Sequence, residues 1–151
     1  MDDLQVVVFK LNDQMFGVET FQVQEIIRYQ DIEKVPGMPE YMEGMINLRG
    51  KVIPIISMHR RFALGELNIN SETKIIVTDV SNKLLGFMVN DVTEIIKFSE
   101  NAVEETPDML YNAMNRYLKC VAKKDDNLIS IFDLAKILTE GEVEEVVEKI
   151  Q

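Results

Sequence analysis

The chain contains a copy of itself. Phe16-Gly-Val-Glu-Thr-Phe-Gln-Val-Gln-Glu-Ile-Ile27 aligns without a gap on Leu85-Gly-Phe-Met-Val-Asn-Asp-Val-Thr-Glu-Ile-Ile96: Gly17, Val23, Glu25, Ile26 and Ile27 recur 69 positions later as Gly86, Val92, Glu94, Ile95 and Ile96. The turns before them, Asn12-Asp13-Gln14 and Ser81-Asn82-Lys83, keep that offset. A second pair, Lys51–Met58 and Asn127–Leu134, is related by 76 positions, so seven extra residues fall between the paired segments of the second half. A fold that accepts this sequence must house two similar units side by side.

Those units read as all-β. Leu4–Lys10 is rich in β-branched residues, and short apolar runs alternate with turn signals every eight to twelve residues or so. That spacing favours small barrels over a doubly wound sheet, and closing a sheet on itself removes exposed edges. Each copy ends in an N-cap residue, Ser57 or Asp133, and a short helical run; Leu134, Ile137 and Leu138 mark one buried face after Asp133. The expected repeat units are residues 4–62 and 73–138, interleaved in one domain.

Two segments depart from the pattern. Thr106-Pro107 is an N-cap followed by proline, predicting a helix over Pro107–Asn112, while Tyr117-Leu-Lys-Cys-Val121 also reads as a strand. Val143, Val146, Val147 and Ile150 give an amphipathic C-terminal helix over about residues 139–151, bearing glutamates on its other face.

Composition narrows function by exclusion. The net charge of −10 disfavours nucleic acid and anionic membranes, which reward basic patches. No apolar run approaches the roughly 20 residues of a membrane-spanning helix, and Met1-Asp2-Asp3 has no signal-peptide pattern, so a cytoplasmic protein without direct membrane insertion is expected. One cysteine and one histidine cannot build a structural zinc site, and no nucleophile triad, P-loop or dinucleotide glycine fingerprint is present. His59 is expected at the surface beside Arg60 and Arg61, and Cys120 in a strand as a buried thiol. The glutamates read as solvated faces. No enzyme, metal or cofactor is expected.

What remains is the kit of a binding module. Met45-Ile46 and Val52-Ile-Pro-Ile-Ile56 flank Asn47-Leu48-Arg49-Gly50, a turn that would hold the five-donor Arg49 on the rim of a rigid sheet. Such an arginine either meets another molecule or pins a local carboxylate. Val23 and Glu25, two apart, are expected on one side of a strand. Met38, Met42 and Met45 lead into the turn, either as an adaptable binding surface or as filler between barrels.

Phe16–Ile27, Pro39, Gly44-Met-Ile-Asn-Leu-Arg-Gly50, Val52–Ile56, Leu85–Val92 and Asn127–Leu134 together resemble the CheW family of chemotaxis coupling proteins, over nearly the whole chain. The resemblance implies two five-stranded SH3-like barrels packed on a shared apolar core. It also implies a non-catalytic scaffold that joins the regulatory domain of the histidine kinase CheA to the cytoplasmic tip of methyl-accepting chemoreceptors, recruited to receptor arrays. By position, Val23, Glu25, Gly44 and Arg49 fall where the family binds partners, and Asn47 and Gly50 of the same turn join the set. Ser57 stands where the family often has Asp, and Cys120 where a small glycine is common. Two rivals stand beside this reading: the CheW-like module of a CheV-type scaffold, which would bring a fused receiver absent before Gln151, and a small-molecule-binding barrel, which would need a deep pocket with converging polar groups.

The repeat also bears on Arg49. Its counterpart 76 positions on is Asp125, followed by Asp126 in place of Gly50. The second barrel is therefore expected to lack the cation, leaving Arg49 with a task its twin does not share.

Overall fold

A computed structural model describes residues 3–104 and 116–151. In chain order the elements are β1 (Leu4–Leu11), β2 (Gln14–Glu19), β3 (Glu25–Arg28), β4 (Met42–Leu48), β5 (Lys51–Ser57), α1 (Met58–Arg61), β6 (Lys74–Val80), β7 (Lys83–Val89), β8 (Asp91–Phe98), β9 (Val103–Glu104), β10 (Leu118–Lys124), β11 (Asn127–Phe132) and α2 (Glu140–Lys149). They form two sheets, β8-β1-β2-β11-β10-β9 and β3-β6-β7-β5-β4. The helix expected over Pro107–Asn112 lies outside the described residues; Leu118–Val121 is strand.

The sheets are not the repeats. The first hairpin, β1–β2, sits among strands of the second half, and β6–β7 sits among strands of the first. The exchange is reciprocal and in register. Ile26 lies opposite Ile76, and the residues 69 positions away, Ile95 and Val7, also lie opposite each other. Ile55 pairs with Gly86 in a parallel ladder, as Ile131 pairs with Gly17. Both glycines sit where strands crowd: a Cβ on Gly86 would stand 2.6 Å from Ile55 Cδ1 of its parallel partner, and one on Gly17 would overlap a Val6 methyl of the antiparallel β1.

Strand β1 shows how the sequence encodes two cores at once. Val6 and Val8 point into its own barrel, while Val7, Phe9 and Leu11 point into the larger core between the barrels. Ile75-Ile76-Val77 divides the same way. A strand buried on both faces reads as an unbroken apolar run. The shared core stacks Phe9 on Phe16 and Phe16 on Phe132, with centroids 6.1 and 5.1 Å apart. Met42 is fully buried in it beside Met58, and Met38 packs against it, so Met38 and Met42 fill the junction, whereas Met45 is half-buried outside it.

Helix α2 seals this core with Val143 and Val146. Thr139 and Glu142 cap it reciprocally, at 3.1 and 2.8 Å. Arg61 grips Glu142 with both Nη atoms, at 2.9 and 2.6 Å, and donates through Nε to the Ile137 carbonyl. Burial opposes ionisation of Glu142, but Arg61 and the Thr139 hydrogen bonds outweigh it and hold the carboxyl below its usual range.

Candidate interaction surface

Strands β4 and β5 are joined by Arg49 and Gly50, both left-handed with φ 51° and 87°, as a type I′ hairpin turn demands. Asn47 Oδ1 accepts the Gly50 N–H at 2.9 Å and fixes the loop. The turn carries Arg49 across to Glu25, the first residue of β3, where Nη2 donates to the carboxylate. Strands β3 and β4 are the outer strands of their sheet, so this ion pair spans the seam that closes the barrel. Gln30 Nε2 donates to the Asn47 carbonyl across the same seam, and Glu33 and Met45 exchange backbone hydrogen bonds at 2.9 and 2.8 Å. The Arg49 side chain is 70% exposed and that of Glu25 29%. Arg49 is therefore pinned and displayed at once.

The structure brings Glu25, Asn47, Arg49 and Gly50 together. Gly44 is buried at a bulge in β4, with φ 146°; a Cβ there would meet Ile32 Cγ2 at 2.7 Å and enter the Glu33 carbonyl. It lets the chain after β3 cross β4. Val23 precedes β3, at the end of the Thr20–Gln22 turn, and is half-buried against the shared core rather than on the strand with Glu25.

The second barrel overturns the expectation drawn from Asp125. Glu94, the counterpart of Glu25, is paired after all: Lys124, one residue before Asp125, donates to it at 2.7 Å. The backbone bridge recurs too: Glu104 of β9 pairs with Val121 of β10, the counterpart of Met45. The closing cation is conserved in space but shifted by one residue in sequence.

Three features escaped the sequence reading. Phe21 is 75% exposed between cavities of about 290 and 250 Å³ that also share Gln22. Ile26 and Val52 are exposed on the first barrel, and so are their counterparts Ile95 and Leu128 on the second. Apolar residues inside strand patterns look alike whichever face they take, so only the fold separates these from the core. His59 is the third. It is fully buried rather than at the surface, because α1 lies against the β1–β2 turn, where Asn12 Oδ1 meets its Nε2 at 3.1 Å.

Among the described residues no three His, Cys, Asp or Glu side chains converge on a metal site, and no helix is long and apolar enough to cross a membrane. Cys120 is buried, and burial pushes its thiol pKa up, away from reactivity.

A family model for the CheW-like domain matches residues 5–142. The chain is 27% identical to the chemotaxis protein CheW of Treponema pallidum over 149 residues, covering 96% of this chain and 88% of that one. It is 29% identical to CheW of Bacillus subtilis over 134 residues, covering 89% and 86%. Among solved structures it is similar to the scaffolding protein TtCheW of Thermoanaerobacter tengcongensis, with 33% identity, a TM-score of 0.82 and coverage of 93% and 91%. Two barrels related by exchanged hairpins, a seam turn of the Asn-Leu-Arg-Gly type and these matches lead to one conclusion: the chain belongs to the CheW-like domain family.

Proposed function

We propose that the chain is a non-catalytic scaffold that couples chemoreceptors to the histidine kinase CheA in bacterial chemotaxis. It works in the cytoplasm at receptor arrays, and its two units, residues 4–62 and 73–138, descend from one duplicated module. The observation that carries the reading is the seam of the first barrel, in a chain whose family match spans residues 5–142. There a guanidinium is fixed in place while most of its surface stays in solvent. Arginine is favoured at interface hot spots because its planar fork offers several donors on a partly apolar stem. Ile26 and Val52, each close in sequence to the ion pair, supply exposed apolar area.

In this proposal Glu25, Asn47, Arg49 and Gly50 form the contact face, with Val23 and Gly44 shaping it from the packed side. The partners are the CheA regulatory domain and the cytoplasmic receptor tip. The receptor tip, a helical hairpin, would seat an apolar anchor on Phe21 and Leu118 and polar residues against Lys119, Asp133 and Lys136 of the same cleft. A pull-down with a CheA regulatory domain and a receptor-tip fragment tests the reading. Capture of both is expected, and capture of neither by the folded chain overturns it.

A further inference from the structure

The internal duplication gives the molecule two equivalent junctions between its barrels, and they are built differently. At one, His59 of α1 meets Asn12 of the β1–β2 turn, and the Asn12 backbone N–H donates to Asn90 Oδ1 at 2.6 Å. Asn90 in turn donates its backbone N–H to the Lys10 carbonyl at 3.0 Å, and Asn12 Nδ2 donates to the Leu64 carbonyl at 3.3 Å. Three segments far apart in sequence are thus tied through the side chains of Asn12 and Asn90. At the other junction the corresponding residues are Ala135, Ser81 and Phe21. Ala135 and Ser81 are exposed, as is Phe21. Ala135 lines the cavity of about 250 Å³ with Phe21 and another of about 420 Å³ with Ser81. One junction is closed and its twin is open.

We infer that His59, acting through Asn12 and Asn90, is a proton-sensitive lock that closes the junction opposite the Phe21 cleft. The hydrogen bonds fix the tautomer. Asn12 Nδ2 donates to Leu64, so Oδ1 faces His59 as an acceptor and Nε2 must carry the proton. Nδ1 is then a bare lone pair, buried and without a hydrogen-bond partner among the described residues. Protonation would place a second N–H and a positive charge in this buried spot, where Nδ1 makes no hydrogen bond.

The surroundings offer little to offset that charge. Burial pushes the His59 pKa down, opposed by the Asn90 side chain and the Glu66 carboxylate. Glu66 itself is engaged by Arg60, on α1, at 3.0 and 3.1 Å. From the β1–β2 turn and the β7–β8 link the groups that reach the ring are neutral asparagines. The charged residues beside Asn12 and Asn90 in the chain are Lys10, Asp13 and Asp91, the last facing Lys74 at 3.7 Å.

The sign follows. A histidine with a folded pKa below its unfolded value, about 6.5, contributes stability that is complete above pH 6.5. That stability is lost as pH falls from there toward the folded pKa, and the folding constant drops by up to about tenfold per pH unit in that window.

Because His59 is the only histidine in the chain, its ring signals are unambiguous in an NMR titration of the full chain. The expected result is a midpoint below 6.5, with the Asn12, Leu64 and Asn90 amides shifting at the same midpoint. His59→Gln, which keeps a neutral donor but cannot titrate, should flatten the stability–pH slope between pH 6.5 and the wild-type midpoint. A ring midpoint at or above 6.5, three amides indifferent to it, or an unchanged slope in His59→Gln would each overturn the lock. If His59→Gln does not fold, the wild-type titration decides alone.

Discussion

In the first barrel the cation that meets the seam carboxylate stands in the turn; in the second it is the last residue of the strand before the turn. Arg49 and Lys124 do the same closing work on Glu25 and Glu94, so the existence of an ion pair at the seam says nothing by itself about partners. The difference lies in what each leaves over. Lys124 is 38% exposed and ends in a compact ammonium, whereas Arg49 is 70% exposed and engages Glu25 through Nη2 alone among the described residues. The planar fork keeps further donors facing solvent, already held in place by the I′ turn. Both barrels carry the closure, and in the first the cation stands farther out in solvent.

The bulges allow the harshest test of how far the equivalence runs. Gly44 and Cys120 occupy the same place in β4 and β10, opposite Ile55 and Ile131. Cys120 does not take a positive φ, but Gly44 does, under the Glu33 carbonyl. Gly44→Cys should cost on the order of 3 kcal/mol of stability, from backbone strain and overlap with main-chain atoms. A denaturant midpoint close to wild type would mean the two bulges are interchangeable.

A smaller effect is expected at α2, which the first half of the chain lacks. Glu142→Gln removes a paired, partly exposed carboxylate and should cost about 1 kcal/mol at neutral pH after allowing for solvent screening. Because Glu142 has a depressed pKa in the fold, its contribution is complete above the unfolded value of roughly 4.3 and disappears as pH falls through the folded one. Thermal melts across pH 3 to 7 should therefore show wild type and variant converging in acid. Constant separation would place the effect elsewhere. The smallest change belongs to Lys124→Ala, about 0.5 kcal/mol, as for other half-exposed pairs.

Much of this was written locally. Asn47 and Gly50 specify the turn, Thr139 and Glu142 the helix start, and the offsets of 69 and 76 the pairing of equivalent strands. What could not be read is where distant segments meet. Nothing in β1–β2 says that it joins strands of the other half, since both arrangements satisfy its two apolar faces. Lys124 was overlooked because a repeat aligned by residue hides a cation displaced by one position. His59 looked like surface because its neighbours in sequence are arginines, whereas its burial depends on Asn12, 47 positions away. Of the site set, Glu25 and Arg49 were legible together, but the packed roles of Val23 and Gly44 depend on the Thr20–Gln22 turn and on the crossing at Glu33.

The central claim is that Arg49 has a task beyond closing its barrel. It is tested by measuring affinity for the CheA regulatory domain and the receptor tip in Arg49→Ala and Lys124→Ala side by side, with the thermal midpoint of each. Arg49→Ala should lose roughly thirtyfold in affinity for at least one partner while its midpoint stays at the wild-type value, and Lys124→Ala should bind as wild type does. Equal losses in the two variants, or undiminished binding by Arg49→Ala with a lowered midpoint, would show that both cations are only closures.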